Sequence, residues 1–331
     1  MPERDAIVIV IRNLSHAYPG SRKQPSRVAL ADLSFAVESG EFCILSGPNG
    51  SGKSTLFRIL CGLQVPSTGT VTLGGFDLSR EPRQIRHILG VVFQSPAVDK
   101  HLSVAENLAI HASLYGLGGA ELTMRLEESL AWSDLKHRTG DQVLTLSGGL
   151  ARQLELAKCL LTRPRVLLLD EPTTGLDPVS RRNFLDVLRR IQQERAMTVL
   201  MTTHIFSEAE DADRVAILKG GRLLAYDTPQ RLRGLMGREM VVITPIDPDT
   251  LAPRLRQEMN LSPLRFGEEL RIEDISTADS LPLLEALLDR YRGDIRSIAI
   301  KQPALEDVFI HITAAGSGGG TLAAVAEEGM P

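Results

Sequence analysis

The stretch GPNGSGKST, residues 47–55, decides how this chain folds. It follows a short apolar run, FCIL at residues 42–45, and precedes TLFRILCGL at residues 55–63, which has the character of a helix. A glycine-rich loop between a strand and a helix fits the phosphate-binding pattern G-x-x-x-x-G-K-[ST]. Its glycines let several backbone N–H groups face a phosphate, and the helix N-terminus adds a partial positive charge. The stretch therefore predicts a nucleotide site in an α/β layer fold.

Two side chains of this loop have separate predicted roles. Lys53 is expected to reach the β- and γ-phosphates, and the hydroxyl of Ser54 is expected to ligate Mg²⁺. Average composition produces such a match by chance in about one chain in a hundred, and the strand–loop–helix context lowers that chance further. The candidate ATP-binding residues here are Gly47, Pro48, Asn49, Gly50, Ser51, Gly52, Lys53, Ser54 and Thr55.

A second motif, VLLLDEP at residues 166–172, places two carboxylates after an apolar strand. Asp170 and Glu171 come at the carboxyl end of that strand, where open α/β sheets bind their ligands. Asp170 is expected in the Mg²⁺ shell, and Glu171 is placed to accept a proton from an attacking water. Alone, an apolar run that ends in Asp-Glu is more often a strand followed by a solvated turn. The phosphate-binding loop upstream favours the catalytic interpretation.

A third motif, TLSGGLARQLELAKCLL at residues 145–161, opens a helix with Ser-Gly-Gly. Ser147 is a good N-cap, and Gly148 and Gly149 allow the backbone to approach an anion closely. In isolation, an ordinary capped helix after a glycine turn explains this pattern equally well.

Apolar runs alternate with helical patterns over residues 1–236 and predict an α/β, P-loop NTPase core. Several runs are continuously apolar, as is typical of strands covered on both faces. The strand signal stops at about residues 95–161, which predicts a helical insert; Ser103 and Glu106 have capping-box spacing there. Strand candidates lie at residues 7–11, 41–45, 70–73, 166–170, 198–203 and 215–218.

The remainder of the chain predicts a small α+β domain over residues 237–313 and a disordered, glycine-rich tail over residues 314–331. The strand candidates of this domain lie at residues 240–244, 264–266, 270–272 and 295–300, and its helix candidates at 281–291 and 305–312.

Composition excludes several classes of protein. The net charge is −4, so no chain-wide basic field indicates nucleic acid as a partner. The three cysteines show no C-x-x-C spacing and are expected to be buried hydrophobes in a reducing compartment. No run approaches the roughly 18 apolar residues of a spanning helix, so a role at a membrane would need another chain to span it.

Along the chain the phosphate-binding loop comes first, the Ser-Gly-Gly helix second and the Asp-Glu strand third. This set resembles the motifs of the ATP-binding subunits of ABC transporters, whose signature is LSGG. The resemblance implies that the 147–149 loop covers the γ-phosphate of ATP held by a second subunit, so the active form is a two-fold dimer. It also implies ATP and Mg²⁺ as cofactors and a separate integral membrane permease as partner. This chain would bind the permease peripherally, at the cytoplasmic face of the cell membrane. A homodimer is favoured over a heterodimer.

Four further residues match positions of this family. The resemblance implies that Tyr18 stacks on adenine and that Gln94 reaches Mg²⁺ and the attacking water and couples to the membrane partner. It implies that Asp177 crosses the dimer interface and that His204 contacts the γ-phosphate. Glu171, His204 and Gln94 are thus the candidate catalytic residues.

The chain also departs from the family pattern in its signature. Leu150 replaces the usual glutamine and Gln153 the usual arginine. Leucine cannot hydrogen-bond to the ribose of the opposite nucleotide, but Ser147 and Gly149 remain, so hydrolysis is still expected.

The C-terminal sequence PALEDVFIHIT, residues 303–313, is similar to the end of the daunorubicin-resistance subgroup of exporter ATPases. We therefore expect an ATPase that powers export of a drug, lipid or other hydrophobic substrate. A soluble ABC-type ATPase acting on nucleic acid or ribosomes is an alternative, although the chain has neither a long coiled coil nor a second cassette. A small-molecule P-loop kinase is a third possibility. The signature helix and Gln94 count against it, because a kinase needs neither.

Overall fold

The computed structural model of this chain describes residues 7–20, 25–237 and 239–315. The tail predicted to be disordered lies outside these residues, apart from its first two positions. The chain divides into two compact units, and the division falls between Tyr226 and Asp227. The sequence analysis predicts a domain limit ten residues further along the chain, at 236/237.

The N-terminal part alternates strands and helices, as its apolar runs indicate. Its strands are β1 (Ile7–Tyr18), β2 (Arg27–Glu38), β3 (Phe42–Ser46), β4 (Thr68–Leu73), β5 (Phe76–Asp77), β6 (Leu89–Val92), β7 (Val166–Asp170), β8 (Thr198–Thr203), β9 (Arg214–Lys219) and β10 (Arg222–Asp227). Its helices are α1 (Lys53–Leu60), α2 (Pro82–Ile88), α3 (Val104–Leu114), α4 (Gly119–Leu130), α5 (Gly148–Leu160) and α6 (Pro178–Arg195).

A six-stranded sheet in the order β10-β9-β3-β8-β7-β6 positions the motifs. The neighbours from β9 to β6 are parallel, and β3 and β8 are buried along their whole length. The register sets Ser46 beside Thr203 and Asp170 beside Thr202. The phosphate-binding loop and the Asp-Glu pair therefore leave the sheet at the same edge.

A second sheet, β2-β1-β4-β5, is antiparallel. Strand β2 alternates buried and half-buried side chains from Leu33 to Val37, and the core against which it packs includes Leu56 and Phe57 of α1. This sheet and α1 therefore share one apolar core.

The helical insert is present as predicted. Residues 95–161, all of which are described, hold α3, α4 and α5 and contain no strand. The capping box at the start of α3 is formed, with Ser103 and Glu106 each accepting a backbone N–H of the other. The insert has an apolar core of its own, built from Val104, Leu108, Leu130, Leu154, Ala157 and Leu161 with their neighbours.

The C-terminal unit is a four-stranded antiparallel sheet with helices, as the α+β expectation requires. Its elements are α7 (Pro229–Gly234), β11 (Glu239–Pro245), α8 (Pro248–Met259), β12 (Leu264–Phe266), β13 (Glu269–Ile275), α9 (Thr277–Tyr291), β14 (Ile295–Lys301) and α10 (Leu305–Ala315). The strand order is β12-β13-β11-β14. Helix α10 buries Leu305, Val308 and Ile312 and packs against α7, so α7 belongs with this unit. Across the described ranges, no helix is both long and apolar enough to cross a membrane.

Candidate functional site

The phosphate-binding loop takes a backbone path that requires glycine at two positions. Gly47 has a φ of 147° and Gly52 a φ of 110°. A Cβ atom on Gly47 would lie 2.2 Å from the carbonyl oxygen of Leu218, and one on Gly52 would lie 2.7 Å from that of Ala29. Side chains at these positions would collide with backbone, so the loop packs tightly against strands β9 and β2.

Lys53 lies across its own loop. Its Nζ donates to the carbonyl oxygens of Gly47 at 2.7 Å and Pro48 at 3.3 Å, and it lies 3.9 Å from Oε1 of Glu171. Burial lowers the pKa of Lys53, and the charges of Glu171 and Asp170 oppose that shift. The motif's cation is therefore held among oxygen atoms, where phosphate oxygens can replace the two carbonyls.

One hydroxyl joins the carboxylate of Asp170, at the end of β7, to the backbone N–H of Glu171. Thr202 Oγ1 donates to Oδ1 of Asp170 at 2.6 Å and accepts the backbone N–H of Glu171 at 3.0 Å. Glu171 has a φ of 44°, a left-handed conformation that is uncommon outside glycine. Burial raises the pKa of Asp170, and the nearby Glu171 charge adds to the effect. The turn thus points the two carboxylates to different neighbours.

The three candidate catalytic residues meet at one oxygen atom. Oε2 of Glu171 lies 3.3 Å from Nε2 of Gln94 and 3.1 Å from Nδ1 of His204, and Thr174 Oγ1 donates to it at 3.3 Å. Gln94 follows β6, and His204 follows β8. The parallel strands that flank β7 therefore deliver the two residues predicted to act with Glu171.

A pocket of about 240 Å³ opens above the loop. Tyr18 lies at it, with its hydroxyl 3.2 Å from Oγ1 of Thr55 and donating to Gln64 at 3.2 Å. The pocket is lined by Tyr18, Arg27, Ala29, Asn49, Gly50, Ser51, Gly52, Lys53, Ser54, Thr55 and Glu171.

The Ser-Gly-Gly loop lies apart from this pocket. Ser147 caps α5 by accepting the N–H of Leu150 at 3.3 Å, and Asp177 caps α6. A Cβ on Gly149 would approach the side chain of Ser180 to 3.3 Å, so the loop packs against the start of α6. Among the described residues that line the pocket, neither the 147–149 loop nor Asp177 appears.

The two departures in the signature have different surroundings. Leu150 is partly buried against the apolar core of the helical insert. Within the described ranges, Oε1 of Gln153 is buried without a hydrogen-bond partner.

The oxygen donors near the carboxylates fit a magnesium ion that arrives with a nucleotide. Ser54 is exposed at the start of α1, and Asp170 and Gln94 flank the same edge of the sheet. The described ranges hold no group of three or more His, Cys, Asp or Glu residues that could bind a metal ion. Mg²⁺ is commonly held by one or two protein oxygens together with phosphates and waters, so these donors suffice.

Sequence reasoning missed Arg27. A Cβ on Gly50 would lie 3.6 Å from an Nη atom of this arginine, and the register of β1 and β2 sets Arg27 opposite Tyr18. Strand β2 was not predicted, so nothing in the sequence placed this guanidinium at the pocket. The alternation in residues 30–37 is the signal that would have found the strand.

Comparison with known proteins identifies the family of this chain. Residues 30–174 match the family described as ABC transporter. The chain is 34% identical to the Nod factor export ATP-binding protein I of Rhizobium etli over 88% of its own length and 91% of the relative's. It is 31% identical to the linearmycin resistance ATP-binding protein LnrL of Bacillus subtilis, over 85% of this chain and 92% of that protein. The chain belongs to the ABC transporter ATP-binding proteins.

Solved structures of this family agree with the fold. One described as an ATP-binding subunit of an ABC transporter matches with a TM-score of 0.59 and 30% identity, over 68% of this chain and 92% of that one. A dimeric, post-hydrolysis ATP-binding cassette, MJ0796 with ADP and Pi, matches with a TM-score of 0.59 and 26% identity, over 66% and 98%. The present chain is accordingly an ABC ATPase, which binds ATP and hydrolyses it for transport.

Proposed function

We propose that this ATPase powers a separate membrane permease that exports a drug, a lipid or another hydrophobic molecule. The observation that carries the proposal is the extent of the likeness to the two relatives named for Nod factor export and for linearmycin resistance. It covers 88% and 85% of this chain, more than the ATPase unit alone could supply. The similarity of residues 303–313 to the daunorubicin-resistance subgroup supports the same class.

An apolar surface on the helical insert supports a permease partner at the cytoplasmic face of the membrane. Ile110, Leu114 and Tyr115 on and just after α3 are 53%, 76% and 46% exposed. Tyr115 also lines a groove of about 290 Å³, together with Phe93 next to Gln94. Exposed apolar side chains beside a groove are typical of interaction sites. A partner seated there would contact the segment that carries Gln94.

We infer that two copies of the chain form the active unit. The 147–149 loop does not line the pocket of its own subunit, yet its two glycines begin a helix whose N-terminus favours an anion. Docking a second copy by two-fold symmetry would bring this loop to the γ-phosphate in the partner's pocket, with Asp177 at the interface. One sequence supplies both halves of each site, which favours a homodimer.

In this proposal, the residues of one subunit have distinct tasks. Lys53 exchanges the carbonyls of Gly47 and Pro48 for phosphate oxygens. Glu171 accepts the proton of the attacking water, while Gln94 and His204 hold its carboxylate in place. Tyr18 stacks on the adenine.

Magnesium belongs to the same proposal. Ser54, Asp170 and Gln94 would hold the ion, which neutralises charge that develops on the phosphates. Residues 1–236 are proposed to carry the ATPase function and residues 237–313 to form an accessory domain, although α7, which precedes residue 237, packs with the C-terminal unit.

A pull-down from detergent-solubilised membranes tests the proposal against a soluble, non-transport ABC-type ATPase. The tagged chain should retain an integral membrane protein, and the purified complex should hydrolyse ATP when reconstituted in lipid. Retention of only ribosomes or nucleic acid by the chain would contradict the transport function.

A further inference from the structure

Helix α5 contains a buried ion pair one turn after the signature loop. Nη1 of Arg152 lies 2.5 Å from Oε2 of Glu155, and each side chain is only 4% exposed. Burial raises the pKa of Glu155, and the Arg152 charge opposes that shift. Removing two charges from water is costly, and a pair of apolar side chains would often fill the same space with no loss of stability. The pair therefore calls for an explanation beyond filling space.

Both members of the pair also bind the backbone of the segment after β6. Nη1 of Arg152 donates to the carbonyl oxygen of Phe93 at 2.7 Å, and its Nη2 donates to that of Gln94. Oε1 of Glu155 accepts the N–H of Ala97 at 2.7 Å. The guanidinium and the carboxylate thus hydrogen-bond to the backbone of the segment both before and after the Gln94 side chain.

The apolar packing of α5 uses a different set of side chains. Leu154, Ala157 and Leu161 belong to the core of the helical insert, with Leu150 packed against it. Neither Arg152 nor Glu155 belongs to that core. The insert can therefore hold α5 without the ion pair, whereas the described contacts of the Gln94 backbone carbonyl come from Arg152.

Gln94, whose backbone carbonyl Arg152 binds, contacts the candidate general base: its Nε2 lies 3.3 Å from Oε2 of Glu171. The same helix begins at Ser147, which caps it. We propose that Arg152 and Glu155 are positioning residues that hold Gln94 in place for hydrolysis and tie its position to that of the signature helix. Neither residue touches the nucleotide pocket, so the pair acts through Gln94.

The test uses full-length chain and two variants. Arg152→Met combined with Glu155→Leu removes both charges while keeping apolar volume, which avoids leaving one charge buried alone. Arg152→Lys keeps the charge but replaces the planar fork by a point donor. The readouts are kcat for ATP hydrolysis, the Mg²⁺ concentration for half-maximal rate, and affinity for a fluorescent ATP analogue without Mg²⁺.

We expect the double variant to lose about tenfold in kcat and to need more Mg²⁺, while analogue affinity stays within about twofold. Arg152→Lys should show a smaller loss of the same kind. The decisive comparison repeats both variants in a Gln94→Ala background. If the pair acts through Gln94, the losses should be non-additive, so that kcat of each combined variant equals that of Gln94→Ala.

Losses that multiply in the Gln94→Ala background would overturn the proposal, because they would show a general structural effect. A parallel loss of analogue affinity, or an unchanged kcat in both variants, would overturn it as well. If the double variant does not fold, Arg152→Lys carries the same comparison alone.

Discussion

Nδ1 of His204 lies 3.1 Å from Oε2 of Glu171, although the two residues follow different strands of the sheet. Gln94 reaches the same oxygen atom from the other neighbouring strand. The orientation of the Glu171 carboxylate is therefore set from two sides. This follows from the parallel order β8-β7-β6, which brings the carboxyl ends of these strands to one edge.

The His204 contact predicts a loss of turnover without a loss of binding. In His204→Ala, the carboxylate of Glu171 keeps Gln94 and Thr174 but loses the imidazole, so kcat should fall by about tenfold or more. Affinity for ATP should change little, because Lys53 and the loop are untouched. Steady-state kinetics checks this, with the exposed His101→Ala as a matched control at the wild-type rate. A wild-type kcat in His204→Ala would contradict the role.

The position of Arg27 at the pocket predicts a loss of ATP binding without a loss of turnover, the reverse of the effect expected at His204. Its guanidinium lies beside Gly50 at the pocket, so Arg27→Ala should weaken ATP binding by about three- to tenfold, as expected for one charge-assisted contact. The rate at saturating ATP should stay near that of the wild type. Arg12→Ala, an exposed arginine on the neighbouring strand β1, is the control for loss of one charge. Equal affinities of the two variants for ATP would show that Arg27 does not contact the nucleotide.

The apolar surface on α3 predicts a specific failure of assembly. Leu114→Glu places a charge on a side chain that is 76% exposed, so the isolated subunit should fold and hydrolyse ATP as before. Recovery of the membrane partner in a pull-down should fall sharply. Val65→Glu is a matched control, since Val65 is 79% exposed elsewhere on the same unit. Equal loss of the partner in both variants would argue against a docking surface on α3.

His111 predicts a pH dependence of stability. Burial, with the Lys158 charge nearby, lowers the pKa of His111 to about 4. In the unfolded chain the pKa is about 6.5, so between these values the unfolded state binds more protons and the free energy of unfolding falls as pH is lowered. Above about pH 6.5 this contribution is constant.

The variant His111→Gln should therefore lose less stability than the wild type between pH 7.5 and pH 5. Thermal unfolding at the two pH values measures the difference, and His101→Gln, an exposed histidine, serves as the control. Identical pH dependence in wild type and His111→Gln would show that this group is not buried in its neutral form.

Local patterns were sufficient to predict β7 and β8, because a continuous apolar run marks a strand that is covered on both faces. The limits of both strands agree with the prediction. Strand β6 was missed, because it has only four residues and follows α2 directly. Helix α8 was missed as well, since it begins at Pro248 and contains Pro253, which obscure a helical pattern.

Some residues of the site could be predicted from the sequence and others could not. The phosphate-binding loop and the Asp-Glu pair are each a short continuous segment, so their residue types and spacing predict them. Arg27 depends on the register of an unpredicted strand. The Arg152 contact with Gln94 joins residues that are 58 positions apart. Such contacts follow from tertiary packing, and no local pattern indicates them.

The central claim is that each nucleotide is enclosed by the loop of one subunit and the signature of the other. Glu171→Gln tests it most directly, because the amide keeps the size of the side chain but cannot accept the proton. ATP should then bind without being cleaved, and light scattering with size-exclusion chromatography should show a shift from monomer to dimer on addition of ATP. Adding Ser147→Arg to this variant should leave ATP bound to a monomer. A Glu171→Gln protein that binds ATP and stays monomeric, or that hydrolyses it at the wild-type rate, would contradict the account.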